Sequence, residues 1–188
     1  MFKVLHSTVE IAHNYLAECL KPGGIAIDAT IGNGRDTLFM AGLVGENGRI
    51  YGFDIQEGAI ETTRKLLDQH GYLQNVTLII DGHEKLKQYV LEPVNAIIFN
   101  LGYLPGGNQK IVTTPETTLI AVSDGLNILK PGGIMCIVLY TGHPGGVQEQ
   151  LLIEEYLKKL EKKEYYVGKL DFINRDNAPY LIVIERSF

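Results

Sequence analysis

"AIDATIGNGRDTLFMA", Ala26 to Ala41, changes character twice. It opens as a short apolar strand, passes through Gly32 and Gly34, and leaves as helical sequence. Strand, glycine turn and helix in that order begin a doubly wound α/β sheet, with a ligand expected over the turn. Glycines let the backbone approach a ligand closely, and the helix start that follows offers unpaired N–H groups. Twenty residues past Gly34, Asp54 closes a second strand, "RIYGFDI". An acid at that point suits the two hydroxyls of a ribose.

The same alternation runs outward in both directions. Before the turn, "VLHSTVEIAHNYLAECL" carries Val9, Ala12, Leu16, Cys19 and Leu20 at helical spacing and stops at Pro22-Gly23-Gly24. After it come a helix over 57–70, the strand "VTLII", a short helix over 83–90, and the strand "NAIIFN". A helix over 115–129 closes at Lys130-Pro131-Gly132-Gly133, followed by the strand "IMCIVLY" and the amphipathic "GVQEQLLIEEYLKKLEK". Two alternating segments, "YYVGKLDFI" and "PYLIVIER", finish the chain with only a turn around Asn174 to Ala178 between them. Strands separated by helices pair in parallel through crossovers. The last two should form an antiparallel hairpin at one edge. Five parallel strands plus such a pair is the seven-stranded, Rossmann-like layout of the class I S-adenosylmethionine-dependent methyltransferases. With no repeat and no linker, residues 1–188 read as one domain.

The residues around the turn separate this methyl donor from a dinucleotide. A dinucleotide fingerprint places a third glycine at position 37, where Thr37 stands, and Asp36 would repel a pyrophosphate. Asp28 suits the cationic amino-acid end of S-adenosylmethionine better than a diphosphate. Asp36 and Thr37 have a plainer reading as caps of the helix. The third strand runs into "DGHEKL", where Asp81 could accept from the adenine amino group with Gly82 and His83 lining the ring pocket; Asp81 could equally cap the short helix.

The fourth strand ends in "NLGYLPGG". Ligands gather beyond the carboxyl ends of strands, so Asn100 faces the methyl group beside the switch point. Its amide oxygen can orient an amine's lone pair, and Tyr103 could stack on a flat base. This resembles the Asn/Asp-Pro-Pro-aromatic motif of amino-methyltransferases, with Leu101-Gly102 in place of the prolines. Leu104 and Pro105 follow as substrate contacts. An alkylamine is largely protonated at neutral pH, so something must deprotonate it. His143 in "TGHPGG", Tyr103 and desolvation are the candidates, with His143 also a rim contact to substrate. Arg175 in "NRDNAPY" could meet a phosphate or base, or be an exposed turn charge.

Composition bounds the partners. The net charge of −5 argues against indiscriminate nucleic-acid binding but leaves room for a local contact surface. Lys158, Lys159, Lys162 and Lys163 are the obvious basic cluster, and a solvated helix face is their ordinary explanation. Cys19 and Cys136 form no metal-ligand pattern and read as two buried thiols in a reducing cytoplasm. Neither a signal-peptide layout nor a run of membrane-spanning length is present, which gives the expectation of a soluble cytoplasmic protein without a membrane partner.

Taken together, "AIDATIGNGRDTLFMA", "GFDIQ", "DGHEKL", "NLGYLPGG" and "TGHPGG" resemble, over nearly the whole chain, a bacterial family labelled rRNA methylases. Its members act on tRNA, methylating the aminomethyl group of 5-aminomethyl-2-thiouridine at the wobble position. The resemblance implies S-adenosylmethionine surrounded by Asp28, Thr30, Gly32, Asn33, Gly34, Asp36, Thr37, Asp54, Gln56, Asp81, Gly82, His83 and Asn100. It implies a tRNA anticodon stem-loop as partner and pairing as a homodimer. Arg35 stands where many relatives have histidine and is assigned no catalytic role. An rRNA base or a small-molecule amine as acceptor, and a non-enzymatic cofactor- or RNA-binding module, remain the rival readings.

Overall fold

A strand covered on both faces needs an unbroken apolar run, and the middle of the sheet is built that way. In the computed structural model, which describes residues 7–102, 112–142, 145–176 and 178–188, β4 (Val94–Asn100) buries Ala96, Ile97, Ile98 and Phe99 completely. Its neighbours β1 (Ile25–Asp28) and β5 (Leu129–Leu139) bury Ala26 and Ile27, and Met135, Cys136, Ile137, Val138 and Leu139. Outward lie β2 (Arg49–Asp54) and β3 (Val76–Ile80) on one side, and β7 (Tyr180–Arg186) and β6 (Tyr165–Leu170) on the other. The order is β3-β2-β1-β4-β5-β7-β6, seven strands in one sheet. The first five run parallel. β7 enters antiparallel to β5, with Met135 opposite Ile184, and pairs antiparallel with β6.

The expected terminal hairpin forms, and burial decides which strand is outermost. β7 presents Leu181, Ile182 and Ile184 to the core, whereas β6 leaves residues 166–169 exposed. An edge strand tolerates that, and Lys169 within it discourages pairing with another chain.

Helices cover both faces. α1 (Thr8–Cys19), α2 (Arg35–Val44) and α3 (Glu57–Gln69) bury Ala12, Leu16, Met40, Val44 and Leu67 on one face. α4 (Leu86–Tyr89), α5 (Pro115–Ile128) and α6 (Gly146–Leu157) cover the other with Leu86, Ala121, Leu126, Ile153 and Leu157. α1 starts with a capping box in which Ser7 and Glu10 satisfy each other's backbone N–H groups.

Three expectations are corrected. α6 ends at Leu157, so all four lysines of the cluster follow the helix. Lys130 to Gly133 does follow a closed helix but belongs to β5, where the register against β4 slips between Val94 and Ala96 to absorb the turn. Of the two thiols only Cys136 is fully buried; Cys19 is half-buried and donates to the Asn95 carbonyl at 3.1 Å. Burial pushes the Cys136 thiol up to about 12. Among the described residues, no helix is long and apolar enough to cross a membrane.

Candidate active site

Strand order reverses between β1 and β4, and the loops leaving them diverge to open a crevice. There, beyond the carboxyl ends of β1 to β4, lies a cavity of about 850 Å³.

On its β2 side, Asp54 is fixed by two backbone donors. Gly32 N–H reaches Oδ2 at 3.0 Å and Gln56 N–H reaches Oδ1 at 2.9 Å. Each oxygen retains a lone pair for a ligand hydroxyl. On the β3 side, Asp81 accepts from Lys85 at 2.6 Å, Tyr89 at 2.8 Å and its neighbour Gly82 N–H at 2.8 Å. The Lys85 ammonium, then Tyr89 and Gly82, hold its carboxyl at about 2. Asp81 thus braces the short helix and lines the cavity at once.

His83 carries the clearest ligand signal. Its Nδ1 lies 3.1 Å from the Ala29 carbonyl, which can only accept, so the neutral ring carries its proton on Nδ1. Nε2 is then a buried lone pair with no partner among the described residues. The ring meets Phe99 edge-on, and burial lowers its pKa below the usual histidine value. A buried acceptor on a cavity wall calls for an N–H or O–H donor from whatever binds there.

The glycine turn divides into a wall and a brace. Thr30, Gly32, Asn33, Asp36 and Gln56 line the cavity together with Asp54, Asp81, Gly82, His83 and Asn100. Asp28, Gly34 and Thr37 are not among the residues that line it and sit behind the wall. Asp28 is fully buried, accepting from the Thr37 hydroxyl at 2.6 Å and the Thr30 N–H at 3.2 Å. Burial, then the Asp36 carboxylate, push it up to about 7. Gly34 starts α2 at φ +77°, and a Cβ there would fall 2.6 Å from the Thr63 hydroxyl. Its glycine is needed for the helix start and for contact with α3. Asp36 and Thr37 make no cap; they sit inside the first turn of α2 with side chains turned to other elements.

At the head of β4, the Asn100 N–H donates to the Thr30 hydroxyl at 2.7 Å. The Asn100 side-chain amide nitrogen donates to Asp36 Oδ2 at 3.2 Å. A carboxylate cannot donate, so this contact settles which way the amide faces: Oδ1 points away from Asp36. The other oxygen of Asp36 lies 2.7 Å from Nε2 of His13, whose ring stacks on Phe39 with centroids 3.9 Å apart. His13 and Glu10 of α1, and Tyr140 beyond β5, belong to the wall although no motif marks them. Within a helical pattern His13 is one polar residue among several, and only folding brings α1 over the turn.

Tyr103, Leu104, Pro105 and His143 lie outside the described residues. Among the described residues, Thr113 N–H donates to the Gly102 carbonyl at 3.1 Å and Gly102 N–H to the Thr113 hydroxyl at 3.2 Å. Beneath, buried Glu149 of α6 accepts from Thr113 at 3.0 Å and Thr118 at 2.5 Å. Arg175 is exposed in the turn between β6 and β7, at the cavity end of the sheet but off the cavity wall. Among the described residues no group of histidine, cysteine and acidic side chains could hold a metal.

A parallel sheet with a terminal antiparallel pair, and a crevice between a glycine turn and an asparagine at the head of the fourth strand, define a class I S-adenosylmethionine-dependent methyltransferase fold. The chain belongs to the family described as "Putative rRNA methylase", whose model matches residues 50–185. A chloroplastic tRNA (mnm(5)s(2)U34)-methyltransferase of Arabidopsis thaliana is 41% identical over 183 residues, 92% of this chain and 67% of its own. A crystal structure from Clostridium thermocellum described as a "putative rRNA-methylase" is 44% identical, with a TM-score of 0.95 over 98% of this chain and 100% of that one. A Streptococcus mutans protein described as "a putative methyltransferase", in complex with SAH, is 38% identical, with a TM-score of 0.89 over 97% and 99% of the two chains.

Proposed function

We propose that this chain methylates the aminomethyl group of 5-aminomethyl-2-thiouridine at the wobble position of tRNA, drawing the methyl group from S-adenosylmethionine. The observation that carries the acceptor is the 41% identity over 92% of the chain to the Arabidopsis tRNA methyltransferase. The residues fit the donor: a cavity of about 850 Å³ suits a nucleoside-sized ligand. Asp54 offers two acceptors to a ribose diol, and the lone pair of His83 needs a donor. When bound, the cofactor supplies a methyl group on a sulfonium that a neutral amine displaces.

The protein's part is orientation and water exclusion. Asn100 Oδ1, fixed by the bond of its amide nitrogen to Asp36, accepts one N–H of the amine and so aims the lone pair. Leu104 and Pro105 contact the substrate, Tyr103 stacks on the base, and His143 and Arg175 contact the RNA at the rim. The enzyme works as one domain, as a homodimer, in the cytoplasm. The test is transfer of labelled methyl to RNA from cells lacking the gene, with tRNA and rRNA separated and nucleosides identified by mass. Label in methylaminomethyl-2-thiouridine is expected. Label in rRNA would favour the reading in the family's description, and no transfer to either would overturn the RNA assignment.

A further inference from the structure

The amine must lose a proton before its lone pair is available, and Asn100, which only orients it, cannot take that proton. We propose that His13 is the proton acceptor, an inference that rests on the amine-methylation reading above. Asp36 joins the two functions. One oxygen lies 2.7 Å from His13 Nε2 and the other accepts from the Asn100 amide nitrogen at 3.2 Å. Because a carboxylate only accepts, the neutral imidazole bonded to it carries its proton on Nε2 and its lone pair on Nδ1. The same carboxylate therefore fixes a base in its active tautomer and turns the orienting amide oxygen. Stacking on Phe39, 5° from parallel, holds the ring plane.

The transfer balances. One N–H bond of the ammonium breaks, its electron pair stays on the amine nitrogen, and an N–H bond forms at Nδ1. The imidazolium so formed is compensated by Asp36. His13 borders both the main cavity and a second of about 240 Å³ shared with Glu10, Asn14 and Phe39, which gives the proton a route to solvent away from the acceptor. The other titratable groups on this side are Glu10 on the same helix, Arg35 beside Asp36, Tyr140 beyond β5, and Asp28 behind. Burial, then Asp36, raise the Tyr140 hydroxyl above its usual value. His83 is turned to Ala29 and Phe99 and has no link to Asn100.

The test compares wild type, His13→Ala and His13→Gln on amine-bearing tRNA between pH 6 and 10, with S-adenosylhomocysteine affinity measured by calorimetry. Glutamine can still donate to Asp36, so it preserves a purely structural role. For a base, both variants lose about 100-fold or more in kcat at pH 7. Their activity then climbs about tenfold per pH unit toward the free-amine range, and cofactor affinity stays within about twofold. Wild-type activity in His13→Gln, an unchanged acid limb in either variant, or an equal loss of cofactor affinity would overturn the assignment. A wild-type protein inactive on this tRNA would overturn the acceptor reading itself, and this inference with it.

Discussion

At the scale of single residues, the site separates groups that meet the ligand from groups that hold them. Asp54 and Asn100 end the two strands that flank β1 at the same crevice, yet their roles differ. Asp54→Ala should weaken S-adenosylhomocysteine binding by about tenfold or more, since it loses the diol acceptors and frees the Gly32 and Gln56 N–H groups. Asn100→Ala should leave that affinity within about threefold and lower kcat by about 100-fold, because it removes orientation only. Equal losses of binding in a calorimetric titration would refute the division. Asp28 invites a stability measurement. Its folded pKa, about 7, lies above the ordinary 3.8. The folded state therefore holds a proton the unfolded state releases, and stability falls as pH rises through that interval. Asp28→Asn has no proton to lose, so its unfolding free energy should gain on the wild type progressively from about pH 4 to about pH 7 in urea titrations, the interval Asp28 itself spans. A constant difference across that window would show that Asp28 does not titrate there.

At the scale of elements, the glycine turn is held from behind by α3. Gly34 combines φ +77° with a Cβ position 2.6 Å from the Thr63 hydroxyl and 2.8 Å from its methyl. Gly34→Ala should cost about 1 to 3 kcal/mol through backbone strain and this collision. Adding Thr63→Ala should recover the collision part but not the strain. A double variant no more stable than the sum of the two single effects would mean the side chains do not meet. The sequence marks this glycine clearly, but as an approach to a ligand. That the close neighbour is a threonine from the next helix becomes visible only once α3 is folded back against the turn.

At the scale of the whole molecule, topology separates the two basic features. α6 leaves the cavity end of the sheet and runs to Leu157, and the Ser187 N–H bonds the Glu164 carbonyl beside the start of β6. The lysine cluster therefore lies at the opposite end from the cavity, and Lys158 and Lys159 pair with Glu154 and Glu155. The β6–β7 turn bearing Arg175 returns to the cavity end, since Leu181 pairs with Val138 and Tyr180 with Leu139 at the end of β5, and Leu170 at the end of β6 pairs with Leu181. Reversing Lys158, Lys159, Lys162 and Lys163 should change tRNA affinity by less than about twofold, whereas Arg175→Glu should weaken it by about fivefold or more and flatten its salt dependence. The reverse pattern in a filter-binding assay would move the RNA to the other end of the sheet.

What the sequence by itself determined is local and periodic: strand–turn–helix alternation, the terminal hairpin, and the acids and asparagine that close each strand. These depend on neighbours within a few residues, so Asp54, Asp81 and Asn100 could be placed at strand ends from spacing alone. Tertiary structure decided which of them face the cavity. Asp28 and Asp36 both flank the turn, but the pitch of α2 turns Asp36 outward and Thr37 back onto Asp28. His13 was invisible as a site residue because its partner, Asp36, is 23 positions away and its link to Asn100 runs through Asp36, further still along the chain. A helix face records what is buried, whereas a proton relay depends on which distant elements the crossovers bring together.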